Sequence, residues 1–177
     1  AFATYIVYAV RELGLSATEI GIVFGIGNLG ALFGAFTGNR LSTRFGLGRT
    51  IIGSMFLSAP SVVLIALAPK ASPVPFLIAG GLMAGFSGVV YNINQVSFRQ
   101  AITPPTMQGR MNATMRFIVW GTIPIGAILG GIIATNVSLS AALWVGAIGS
   151  FLAVIPLLIT PVRTLTTMPE PVVDEPG

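Results

Sequence analysis

The chain has 177 residues, 54% of them hydrophobic and only 8% charged, with a net charge of +4 and a mean hydropathy of +0.89. A soluble domain draws its polar shell from roughly a quarter charged residues, so this composition excludes a water-solvated globule and puts most of the surface against lipid. Histidine and cysteine are both absent, which excludes disulfides, His- or Cys-based metal sites, thiol nucleophiles and imidazole-dependent triads.

The chain opens at Ala1 in an apolar run over residues 1 to 10 that ends at Arg11-Glu12-Leu13-Gly14. Without a basic flank this run matches neither a signal peptide nor an initiating helix, and it is too short to cross a bilayer. The expectation is a helix whose beginning lies upstream. Ser16 or Thr18 is placed to cap the helix that follows. Five longer runs come next, at about 19 to 38, 50 to 68, 74 to 98, 112 to 135 and 139 to 160. Each approaches the ~20 apolar residues that a helix needs to cross the hydrocarbon. They are too long for strands and lack polar alternation, so the fold class expected is all-α, a polytopic transmembrane helix bundle over residues 1 to 163. The end of the chain, 164 to 177, carries Pro169, Glu170, Pro171, Asp174, Glu175 and Pro176 with little apolar content, and reads as a disordered tail.

The basic residues set the orientation. Alternate connections carry Arg40, Arg44 and Arg49, then Arg99, Arg110 and Arg116, then Arg163, while the opposite ones carry Arg11 and Lys70 alone. The positive-inside rule makes the first side and the C-terminus cytoplasmic. These scattered charges build no continuous basic face, which argues against nucleic-acid binding.

Within the run at 19 to 38, Gly25-Ile26-Gly27-Asn28-Leu29-Gly30 matches the spacing of a dinucleotide-binding loop. No acidic residue follows at the expected distance, and the apolar run continues through Phe36. The better account is small-residue packing. Gly21 and Gly25, then Gly30, Gly34 and Gly38, lie four apart and form stripes that let helix backbones approach closely in lipid, as a static contact or as a sliding interface. The run at 112 to 135 has a second such face in Gly121, Gly126, Gly130 and Gly131, with Pro124 removing one helical hydrogen bond and allowing a bend. The runs at 50 to 68 and 139 to 160 contain Pro60 and Pro156 but fewer glycines, and read as peripheral, lipid-facing helices.

The run at 74 to 98 ends in Tyr91-Asn92-Ile93-Asn94-Gln95-Val96-Ser97-Phe98-Arg99. Amides are costly against lipid. Asn92, Gln95 and Arg99 share one helical face, with Tyr91, Asn94 and Phe98 on the adjacent strip. Two readings stand: interhelical hydrogen bonding, or the lining of a substrate path. No Asp or Glu occurs between Glu19 and Glu170. The spans therefore hold no carboxylate pair for hydrolysis and no proton carrier. An enzyme is not expected, nor any cofactor or metal.

The segment from Gly38 through Arg44, Phe45, Gly46 and Arg49 to Thr50 resembles a loop of the major facilitator superfamily, G-x-L-x-D-R-x-G-R-R, in the weaker copy between that family's eighth and ninth helices. Gly38, Arg44, Gly46 and Arg49 fit, and Thr43 stands at the Asp position. The run Gln100 to Asn112, with Pro104, Gly109 and Arg110, followed by Pro124-Ile125-Gly126 and Gly130-Gly131, is similar to a segment of the bacterial efflux branch that includes enterobactin exporters and macrolide-efflux proteins. The resemblance numbers the helices as the end of the seventh through the twelfth, the C-terminal half of the fold. It implies that the seventh and tenth helices line a central cavity, nominating Tyr5, Tyr8, Tyr91, Asn92, Asn94 and Gln95. It implies that Gly38, Arg44, Gly46, Arg49, Arg99, Gly109 and Arg110 belong to cytoplasmic motifs. Packing or gating falls to Gly30, Gly34, Gly121, Pro124, Gly126, Gly130 and Gly131, with the eighth and eleventh helices meeting the other half.

The function expected is that of a secondary active transporter in a bacterial inner membrane. It would export a drug, macrolide or siderophore by alternating access, as a proton antiporter whose carboxylate lies in a missing N-terminal six-helix half. The partners expected are the lipid bilayer, that half, a small-molecule substrate and protons. An importer of sugars or metabolites with the same fold, or a non-transporting membrane scaffold, are the alternatives.

Overall fold

The computed structural model describes residues 2 to 160, 165 to 167 and 169, with side-chain placement from residue 5 onward. Among these the chain is helical throughout: α1 Phe2–Arg11, α2 Ala17–Phe45, α3 Leu47–Ala66, α4 Val74–Ala101, α5 Gln108–Asn136, α6 Leu139–Leu152 and α7 Ile155–Ile159, with a 3-10 turn at Pro105–Met107 before α5. Five segments are long and apolar enough to cross a membrane, with α6 and α7 together making the last. Helices suit this composition because lipid offers backbone groups no hydrogen-bond partner, so each span must satisfy its own.

The helix ends have local causes. Ser16 caps α2 reciprocally: the Glu19 N–H donates to Ser16 Oγ at 3.3 Å, and the Ser16 N–H donates to Glu19 Oε2 at 2.8 Å. At its other end α2 runs seven residues past the expected boundary at 38, because Asn39 to Phe45 is polar yet helix-compatible. It stops at Gly46, where φ is 89°, a conformation that glycine adopts without steric cost. Pro156 explains the interruption after Leu152, since it cannot donate to that residue's carbonyl. Pro60 and Pro124 lie inside continuous helices.

The most extensive pairing is between α2 and α4; α3 packs on α4 and α6, and α5 leans chiefly on α6. The α2–α4 contact is built from glycine on both sides. A Cβ on Gly27 would lie 3.3 Å from Gly81 Cα, one on Gly34 2.8 Å from the Phe86 carbonyl oxygen, and one on Gly85 2.9 Å from the Ala31 nitrogen, while a Cβ on Gly30 would overlap the Leu82 carbonyl. Gly21 and Gly25, expected to share in such a stripe, face open space.

At one end of the bundle, Tyr8, Leu13, Leu15, Val23, Ala68, Leu77 and Leu143 form a buried apolar cluster. Lys70 and Glu12 pair across that end at 3.5 Å. One expectation for the elements changes. The run at 50 to 68, read as peripheral, buries Ile51, Ser54, Ala59 and Ser61 because α3 is wedged against both α4 and α6. The glycine-rich α5 buries none of its residues. At the start of the tail, the Gly48 N–H donates to the Leu165 carbonyl at 3.0 Å, which sets Leu165 beside the α2–α3 corner. Arg163 and the rest of the expected disordered tail, 164, 168 and 170 to 177, lie outside the described residues, as does Ala1.

Candidate functional site

Helical spacing puts Asn92, Gln95 and Arg99 along one side of α4. With Tyr91, and with Asn112, Arg116 and Trp120 from α5, they line a cleft of about 630 Å³ between the two helices. The Arg99 Nη2 donates to Gln95 Oε1 at 3.2 Å, one turn away. Arg99 Nε is buried with no hydrogen-bond partner. The ion pair between Lys70 and Glu12 lies on the α1–α2 and α3–α4 connections, and no Asp or Glu lines the cleft. Two guanidinium charges thus line one recess, Arg99 partly buried and Arg116 exposed. Amide donors and acceptors stand beside them, and Trp120 offers an indole that is 71% exposed. The arrangement can hold a polar or charged small molecule.

The other nominated positions separate from this group. Asn94 is 2% exposed and sits off the cleft, donating to the Val90 carbonyl at 2.8 Å and to the Gly38 carbonyl of α2 at 3.3 Å. Its adjacent-strip position turns it toward α2, and its amide is spent on backbone. Tyr8 belongs to the apolar cluster. Tyr5 packs edge-to-face on Phe24, ring centroids 5.6 Å apart, beside a separate cavity of about 240 Å³ whose wall includes Asn28. The structure therefore brings together Tyr91, Asn92 and Gln95, and leaves Tyr5, Tyr8 and Asn94 elsewhere.

The Major Facilitator Superfamily matches residues 1–175, nearly the whole chain. The chain belongs to that superfamily. It is 28% identical over 141 residues to the uncharacterized MFS-type transporter YbcL of Bacillus subtilis (strain 168), covering 78% of this chain and 34% of that protein. It is also 28% identical over 154 residues to the 3-(3-hydroxy-phenyl)propionate transporter of Escherichia coli (strain K12), covering 85% of this chain and 35% of that one. The chain thus spans about a third of the length of these relatives. No solved structure matches it. Superfamily members are transporters, multi-pass in the membrane, and the helical bundle described above agrees with that class.

In this superfamily chain the motif residues occupy the helix corners. Gly38 is buried against Val90 and Asn94. The Arg44 guanidinium lies 5.7 Å from the centre of the Phe45 ring. Gly46 makes the sharp turn between α2 and α3, and Arg49 lines a small cavity of about 180 Å³ with Leu41 and Phe86. Arg110 borders a recess of about 420 Å³ near Pro104, and Gly109 is exposed in the first turn of α5. Of the packing candidates, Gly30 and Gly34 are locked against α4, whereas Gly121, Gly126 and Gly131 meet nothing within 4 Å. Gly126 and Gly130 border a cavity of about 310 Å³ along α6.

In the sequence Arg116 counted only as a topological charge, Asn112 only as the end of the Gln100 to Asn112 segment, and Trp120 not at all. The signal was present: the three stand four residues apart on one face of a helix. Gly81 and Gly85, the α4 side of the glycine contact, were likewise visible by spacing.

Proposed function

We propose that this chain is the C-terminal six-helix half of a secondary transporter, completed by a second six-helix half, which carries a small molecule across the membrane by alternating access. One observation carries the reading: a cleft lined by amides and arginines opens between two helices that are otherwise apolar. Polar groups at such a place are costly unless water, substrate or a facing helix meets them. The resemblance of the Gln100 to Asn112 segment to efflux proteins favours export, with a drug, macrolide or siderophore as cargo and the cytoplasmic side at the Arg-rich corners. With no Asp or Glu between Glu19 and Glu170, proton coupling falls to a carboxylate in the other half.

A second reading, transport of a small aromatic acid, is favoured by the two cleft arginines and by the relative named as a 3-(3-hydroxy-phenyl)propionate transporter.

The test is flux in vesicles containing the complete transporter, with hydrophobic cations, macrolides, siderophores and aromatic acids offered in both directions. Transport of one class is expected, with Asn92→Leu and Gln95→Leu each lowering it about tenfold, the scale of one lost polar contact, while insertion is unchanged. Transport of none by the wild type would remove the reading.

A further inference from the structure

Arg99 and Arg116 are the two charges of the α4–α5 cleft, and nothing around them balances either one. Tyr91, Asn92, Gln95, Asn112 and Trp120 line the recess beside them, and no carboxylate of the described residues reaches it. Arg99 Nε is buried without an acceptor, so the donors that Arg99 can offer a ligand are those of its Nη end. Gln95 already accepts from Nη2 and holds the guanidinium on the cleft wall. Planar guanidinium groups recognise carboxylates through paired, charge-assisted hydrogen bonds. On the α5 wall Trp120 stands one turn beyond Arg116, an aromatic surface beside a cation.

We propose that the α4–α5 cleft is a carboxylate site, Arg99 and Arg116 holding the anionic end of a small aromatic acid and Trp120 its ring. The proposal rests on the second of the transporter readings above, that of a small aromatic acid, and says which residues would hold it. The amides Asn92 and Asn112 supply donors for further polar groups on the same ligand. A carboxylate in the cleft has two sources, a substrate or an acidic side chain of the other half, and the test separates them.

The measurement is binding to the purified complete transporter of three molecules that share one ring and differ in charge: benzoate, benzamide and benzylammonium. Benzoate is expected to bind at least about tenfold more tightly than benzamide, the fold-change of one charge-assisted hydrogen bond, with benzylammonium weakest. Arg116→Gln, at an exposed position where folding is least at risk, and Arg99→Gln should both abolish that preference. Arg116→Lys should restore part of it by keeping the charge while losing the paired geometry. Equal binding of benzoate and benzamide by the wild type overturns the proposal. So does a benzoate preference that survives both Gln variants, which would assign the arginines to an acidic side chain of the other half. Flux of cations or neutral compounds by a transporter that ignores benzoate overturns this site alone and leaves the transporter reading standing; absence of all flux overturns both.

Discussion

Asn92 and Asn94 stand two residues apart on α4 and do different work. Asn94 is buried, with its amide nitrogen shared between the Val90 and Gly38 carbonyls, so it ties α4 to α2. Asn92 is exposed along the cleft beside Gln95 and Arg99. Interhelical hydrogen bonds of this kind contribute about 0.6 kcal/mol on average within membranes and at most about 2. Asn94→Leu in the complete transporter should therefore lower thermal stability in detergent by about that amount and leave KM for the transported compound unchanged. Asn92→Leu should do the reverse. If Asn94→Leu instead raises KM at unchanged stability, the residue lines the path and its bond to Gly38 is incidental.

At the scale of elements, the α2–α4 pair is held by backbone approach. The atoms that a Cβ would strike at Gly30 and Gly34 are the Leu82 and Phe86 carbonyls, which cannot swing aside as a long side chain would. Overpacking of this kind costs about 1–3 kcal/mol, so Gly30→Ala should reduce folded yield and lower the unfolding temperature. Gly21→Ala on the same helix meets nothing and should be neutral or gain up to about 1 kcal/mol from helix propensity. Equal effects at the two positions would refute the close-contact account, whichever direction they took. The helices themselves were legible in the sequence, because lipid requires long apolar runs that bond internally. Their ends were less so: apolarity stops at residue 38, but α2 continues to Phe45 through Arg40 and Arg44. Polar residues mark the edge of the hydrocarbon, and only Gly46 marks the edge of the helix. Within the site, Asn92, Gln95 and Arg99 were legible as amides and a charge in an apolar run. The α5 wall was not, because hydropathy along one helix carries no information about which helix faces it.

At the scale of the molecule, α5 is the element out of balance. It has no buried residue, and Phe117, Trp120 and Ile123 are 80%, 71% and 61% exposed. An apolar helix with so little contact inside its own bundle has two kinds of neighbour available in a membrane, lipid tails and another set of helices. Lipid conforms to any apolar side chain, so a glycine turned toward it has no packing role, whereas a helix pressed against Gly121 would need the missing side chain. Gly121, with no described residue within 4 Å of the position of its Cβ, favours the second neighbour on its face, and so does the cleft that α5 lines with α4. Gly121→Leu separates the two. In the complete transporter it should leave membrane insertion and yield intact, since no atom of the described residues beyond its own helical turns stands within 4 Å of the added Cβ, and should cut the transport rate at least about tenfold by wedging apart the surfaces that alternate during the cycle. Unaltered transport would put the face of α5 that carries Gly121 in lipid and leave the cleft to be closed from the α4 side.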